Sequence, residues 1–129
     1  MNKLQQMIKE DLEFKLLDAH LKLIQCPSLR VKYSSLLMKI QKKVDDKELD
    51  LKSLYSTKWR HYSMDHDQDV DRRDLPVYIE GDDAYIEMKR ELNILNNQAK
   101  EIDHALKAID NLNWQIPAAI KFYMFQQGA

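Results

Sequence analysis

Apolar residues recur along this chain in alternating steps of three and four, the spacing that puts them on one face of a helix packed against another. In the first long stretch the series is Tyr33, Leu37, Ile40, Val44, Lys47, Leu51, Leu54 and Lys58, with lysine at two seam positions. Those lysines are expected to weaken or splay the seam toward its C-terminal end, where Tyr55, Trp59 and Tyr62 continue a second apolar row. The second stretch is cleaner, because Tyr85, Met88, Leu92, Leu95, Ala99, Ile102, Leu106 and Ile109 keep the rhythm without a charge. Two such helices joined by a loop predict an antiparallel pair.

Local punctuation sets the expected boundaries. Pro27 suits a first helical turn and no Gly or Pro follows until Pro76, so the first long helix is predicted over 28–63. Residues 64–81 read as an acidic connection containing a short extended piece at 76–79. Asp82 and Asp83 then suit the positive end of a second helix over 82–113. Pro117 marks a short, very apolar C-terminal helix within an assembly segment, 114–129, and residues 1–27 read as one or two short amphipathic helices. The fold class is therefore all-α: one helical domain, a long hairpin with short helices at both ends. A thin hairpin carrying so apolar a tail implies homo-oligomerisation to complete its core.

Composition agrees and narrows the chemistry. Of 129 residues 44% are apolar and 32% charged, with two Gly and three Pro, too little punctuation for a sheet protein. Cys26 is a lone thiol, no apolar run reaches the roughly 20 residues of a membrane span, and charges interrupt the N-terminus, which together predict a soluble intracellular protein. Glycine at 81 and 128 alone excludes a phosphate-cradling loop, and no nucleophile and base stand in a recognisable motif, so neither an enzyme nor a cofactor is expected. His20, His61, His66 and His104 lack metal-ligand spacing with one another or with Cys26. The alternation Asp65, Asp67, Asp69, Asp71 resembles a calcium loop but fails it: counted from Asp65, Val70 stands where glycine is needed and Pro76 where the bidentate glutamate belongs. A solvated acidic loop is the plainer account.

Net charge is −1, yet the middle third is sharply polarised. From Arg30 to Arg60 nine basic residues face four acidic ones; from Ser63 to Asp83 eight acidic residues face two basic ones. Where the sign reverses, Lys58, Trp59, Arg60, His61 and Tyr62 combine cations that neutralise phosphates with flat rings that stack on exposed bases, the two devices of single-strand recognition. Ser56, Thr57 and Ser63 add hydroxyls, and Lys43 and Lys52 extend the basic stretch. On a helix Tyr55, Lys58, Trp59 and Tyr62 share one face, while Ser56, Thr57, Arg60 and Ser63 lie on the adjoining one, so one face can pack while the other binds. The competing reading is that the rings are core and the cations merely solvated, which makes the chain a helical scaffold or adaptor without DNA binding.

Several ordered landmarks resemble the UvsY family of recombination mediators from T-even-type phages. They are Tyr33 with the basic stretch 39–44, the run ending His61-Tyr62-Ser63, the helix start Ile79-Glu80-Gly81-Asp82-Asp83, and the tail Trp114-Gln115-Ile116-Pro117-Ala118-Ala119-Ile120-Lys121-Phe122 before Gly128. The resemblance covers about residues 28–129. It implies a ring-shaped homo-oligomer of six or seven subunits that binds single-stranded DNA, contacts a single-strand-binding protein and helps a RecA-like recombinase replace it, in the host cytoplasm during infection. Matched to the family's basic and Tyr-Tyr-Ser-Gly-like motif, Lys58 takes a basic position, Tyr62 and Ser63 match directly, His61 replaces the first tyrosine and Met64 the glycine. The second expected cation falls near Ser56, leaving Arg60 to supply it from a shifted position. By the same resemblance Trp114, Ile116, Ile120, Phe122 and Phe125 drive assembly. The acidic loop would lower DNA affinity, keep subunits in register or dock a partner, three alternatives the residues leave open.

Overall fold

The computed structural model describes residues 2–65 and 71–128, except for the side chain of Asp65. Its elements are α1 (Lys3–Leu12), a 3₁₀ turn (Leu16–Asp18), α2 (Ala19–Arg60), a π-helical turn (His61–Asp65), α3 (Leu75–Glu80) and α4 (Asp83–Gln126). No strand occurs among the described residues. None of these helices is long and apolar enough to cross a membrane.

Two prolines fail to act as boundaries. The first long helix starts at Ala19 rather than after Pro27, and the C-terminal segment is not a separate helix, because α4 runs through Pro117 to Gln126. Interior proline costs about 3 kcal/mol through a lost hydrogen bond and a ring clash, so something must hold these turns helical. In α2, Ala19, Cys26 and Tyr33 recur every seventh residue and are all buried, which carries the seam through the proline turn. In α4, Ile109, Leu112 and Ile116 are buried up to the residue before Pro117. Both proline rings face solvent. The expected extended piece at 76–79 is also corrected: Pro76 sits in the first turn of α3, where its missing N–H would have had no helical partner.

The chain divides into two compact units, Met1–Lys39 with Gln98–Ala129, and Ile40–Asn97. In the first unit Ala19, Cys26 and Tyr33 of α2 and Ile102, Ala105, Ile109, Leu112 and Ile116 of α4 form the core, each under a tenth exposed. Arg30 pairs with Asp110, while Leu16, Leu17 and His20 share a groove with Ile120, Tyr123 and Met124, so α2 and α4 run antiparallel here.

In the second unit Lys47 meets Glu91, Tyr55 meets Tyr85 and Lys58 meets Asp82, again with falling partner numbers. The seam lysines thus reach across to carboxylates of the partner segment rather than splaying the pair. The unit is thinly buried: Ile40, Val44, Leu51 and Leu54 are half-exposed, and among the described residues Leu75, Ile79 and Leu92 are its buried apolar ones.

In the first unit, α1 begins at a reciprocal cap, in which Gln5 N donates to the Asn2 side chain at 2.7 Å and Asn2 N donates to the Gln5 side chain at 3.2 Å. Its other end is held by Asp11. The Tyr33 hydroxyl and Lys32 Nζ each donate to Asp11 Oδ2 at 2.6 Å, and Lys22 Nζ donates to the Asp11 carbonyl at 2.8 Å. Burial opposes ionisation of Asp11, but the bonds from Lys32 and Tyr33 with the charges of Lys32 and Lys22 outweigh it, and the carboxyl lies below its usual range. The Tyr33 phenol is pushed up by burial first and then by the carboxylate it bonds.

A carboxyl whose folded pKa is depressed contributes stability that is complete above its unfolded value and is lost as pH falls through the folded one. Asp11→Asn is therefore expected to cost about 1–3 kcal/mol at neutral pH and to lose less stability than the parent on acidification. Thermal melts at pH 7 and near pH 3 check both. An unchanged melting temperature at pH 7 would show that this carboxylate does not anchor α1.

Candidate nucleic-acid interface

The run around Lys58 straddles the last turns of α2 and the π turn, and the structure sorts it into two faces. Tyr55, Lys58, Trp59 and Tyr62 are half-buried, whereas Ser56, Thr57, Arg60, His61 and Ser63 are exposed. That is the division helical spacing predicts.

On the packed face one carboxylate organises the neighbourhood. Asp82 caps α4, its Oδ1 accepting from the backbone N–H of Ala84 at 3.0 Å and of Tyr85 at 3.3 Å. Its Oδ2 accepts from the Tyr62 hydroxyl at 2.8 Å and lies 3.3 Å from Lys58 Nζ. Burial disfavours the charged form, yet the bonds from Tyr62, the Tyr85 N–H and Lys58 prevail and hold Asp82 below the usual carboxylate range. Tyr62 responds in the opposite direction, raised first by its bond to Asp82, then by burial and by the charges of Asp82 and Asp83. Lys58 Nζ is thus already close to an anion, and its side chain is 25% exposed. Tyr62 also touches His61 edge-on at 5.0 Å and Tyr78 of α3 at 5.8 Å, tying the π turn to the short helix.

The exposed face carries free cations. Among the described residues Lys43, Lys52 and Arg60 are exposed and make no ion pair. Two of the expected hydroxyl donors are engaged with nearby backbone at the surface, Thr57 Oγ1 donating to the Ser53 carbonyl at 3.1 Å and Ser63 Oγ to that of Arg60 at 3.4 Å. Trp59 lies tilted against Tyr55, ring centroids 6.2 Å apart. Asp67, Asp69 and the side chain of Asp65 fall outside the described residues; Asp71 is exposed beside Arg73, at 3.8 Å.

The C-terminal residues divide as well. Trp114, Phe122 and Phe125 are 62%, 63% and 78% exposed, and Ile120 is half-buried. Ile116 is a correction: fully buried in the core of its own unit, it has no surface to offer a second subunit.

The model of the family described as recombination, repair and ssDNA binding protein UvsY matches residues 5–129. The chain belongs to the UvsY family. Two crystal structures of the bacteriophage T4 recombination mediator protein UvsY, from different lattice types, share this fold. One matches with a TM-score of 0.87 at 17% identity, covering 97% of this chain and 99% of that one. The other matches with a TM-score of 0.88 at 16% identity over 98% and 99%. No curated protein matches by sequence. At such identity the UvsY fold persists while most side chains differ, so which groups occupy the surface must be read from this chain's own contacts.

Asp82 is the residue sequence reasoning undervalued, since it was read only as a favourable helix start. Its signal was available, because a lysine at a seam position needs an anion across the seam and Asp82 opens the facing helix. Asp82→Ala is expected to remove the cap, about 0.5–2 kcal/mol, and to leave Lys58 and Tyr62 without their shared acceptor. Hydrogen exchange should then accelerate at the first turn of α4 and in the π turn together. Acceleration in α4 alone would mean that Asp82 does not couple the two.

Proposed function

We propose that this protein is a non-enzymatic phage recombination mediator, which binds single-stranded DNA and helps load a RecA-like recombinase onto DNA covered by a single-strand-binding protein. The observation that carries the reading is the family match along nearly the whole chain. The local surface supports it: Lys43, Lys52 and Arg60 offer unpaired charge to phosphates, with His61 and Ser63 beside Arg60 and a half-exposed Trp59 ring for stacking. Lys58 belongs to the proposed interface only if a phosphate competes with Asp82 for its ammonium, and Tyr62 only through the part of its ring left open.

Assembly completes the proposal. Trp114, Phe122 and Phe125 present large apolar side chains to solvent at the end of α4, and a homo-oligomer that covers them, with Ile120 at its edge, multiplies a modest per-subunit DNA affinity through avidity. Phe122→Ser with Phe125→Ser is expected to lower the mass measured by light scattering while helicity stays unchanged. Persistence of the parent mass would place assembly elsewhere.

Titration of a fluorescent oligonucleotide at rising salt tests the binding claim, and affinity indifferent to salt would contradict a phosphate-led contact. Arg60→Ala should weaken binding without loss of helix. Asp82→Asn is more discriminating, because asparagine caps as well as aspartate but holds no cation. Releasing Lys58 should raise affinity and steepen the logarithmic salt dependence by about 0.7. The scaffold reading draws on the pairing of Lys58 and the half-burial of Trp59 and Tyr62; it predicts oligomers that ignore single strands under every one of these conditions.

A further inference from the structure

At the seam positions of the second unit the cations are neutralised. Lys47 Nζ donates to Glu91 at 2.8 Å, and Lys58 lies against Asp82. Beside the seam the situation is different. There Lys52 and Tyr55 of α2 face Tyr85 and Lys89 of α4 across a groove floored by Leu51 and Leu92. Among the described residues neither Lys52 nor Lys89 makes an ion pair, and both are exposed.

The two rings of this groove, Tyr55 and Tyr85, meet edge-on at 6.1 Å, and Trp59, outside the groove lining, extends the chain by lying against Tyr55 at 6.2 Å. The tyrosines of this chain are also unlike Tyr33 and Tyr62, whose hydroxyls are bonded to carboxylates. The hydroxyls of Tyr55 and Tyr85 have no partner among the described residues, although both side chains are half-buried. Half-buried rings are held in place before anything binds, and a phenol donor beside a lysine suits a phosphate oxygen. The groove holds about 220 Å³, below the roughly 300–1,000 Å³ of small-molecule pockets, and it is open. It therefore fits a stretch of an extended chain better than an enclosed ligand. One carboxylate, Glu48, lines it and disfavours an anion at that end. Next to it, a second shallow groove reuses Tyr85 and Lys89 and adds Arg90 and Asn93, but Glu80 also lines it and Arg90 is paired with Glu87 at 4.0 Å, so among the described residues Lys89 is its unpaired cation.

We propose that single-stranded polynucleotide crosses both long helices at this groove, with Lys52 and Lys89 taking phosphates and the Trp59, Tyr55 and Tyr85 rings taking bases, so that α4 supplies part of the binding surface. The proposal rests on the DNA-binding reading above and assigns to it residues outside the basic run of α2.

The test measures oligothymidylate affinity against salt for the full-length chain and for Lys89→Ala, Lys89→Gln, Arg60→Ala and, as a control, Lys100→Ala. Circular dichroism and light scattering confirm the state of each variant. Both Lys89 variants are expected to bind several-fold more weakly at low salt, with the salt slope reduced by about 0.7, while the Lys100 variant binds like the parent. Photocrosslinking of a halogenated oligonucleotide to the unaltered chain gives a readout independent of folding and should mark peptides containing Tyr85 or Lys89. Parent-like binding by both Lys89 variants beside a weakened Arg60 variant, or crosslinks confined to α2, would overturn the two-helix path and leave the DNA-binding proposal standing. A parent chain that binds no oligonucleotide at any salt overturns both.

Discussion

The second unit depends on the two oxygens of Asp82 being used for different purposes. One closes the first turn of α4 by accepting from backbone donors, and the other receives a phenol and an ammonium from the end of α2. The helices at this end have a half-exposed seam between them, so apolar burial alone fixes their register weakly, and a shared carboxylate with directed bonds specifies it. Because the carboxyl is held ionised by those partners, its part of the arrangement is lost only in acid, while strong base would remove the Tyr62 proton it accepts. The same bonds withdraw Lys58 and the Tyr62 hydroxyl from the surface, and this decides which cations remain for a ligand.

Much of the helical organisation was legible because the three-four rhythm is long and the chain is poor in breakers. The seam from Tyr33 to Lys58 and its counterpart from Tyr85 to Ile109 are packed as the spacing predicts. What misled was punctuation. Pro27 and Pro117 suggest starts because proline suits a first helical turn, but Ala19, Cys26 and Tyr33 in one helix, and Leu112, Ile116 and the half-buried Ile120 in the other, carry buried positions across each proline. Tertiary burial outweighs local propensity there. Residues 76–79 went wrong in the opposite way, since a proline read as extended is also the residue best suited to open a helix.

The candidate site was legible as a run but not as a surface. Spacing separated the half-buried Tyr55, Lys58, Trp59 and Tyr62 from the exposed Arg60 and Ser63, yet it was blind to what lies across the seam. Ion pairing by Glu91 and Asp82, and the approach of Tyr85 to Tyr55, involve residues some 25 to 45 positions away along the chain. It is the family resemblance that sets Ile116 among the assembly residues, whereas in this chain it is buried in the core beyond Leu112.

Burial differs between the two units. The first has a continuous apolar core, while the second leaves Ile40, Val44, Leu51 and Leu54 half-exposed and supports its seam with ion pairs. An ion pair at a partly exposed seam contributes little net stability and is weakened by salt. Polynucleotide phosphates compete for the same cations, so a bound strand and the intramolecular carboxylates are in opposition at Lys47 and Lys58 and not at Lys52 or Lys89. A ligand that took the first pair would loosen the helices it binds; one that took the second pair would leave them joined. On the proposed DNA-binding reading, a strand taken by the cations that are already free would leave undisturbed the fold that presents them.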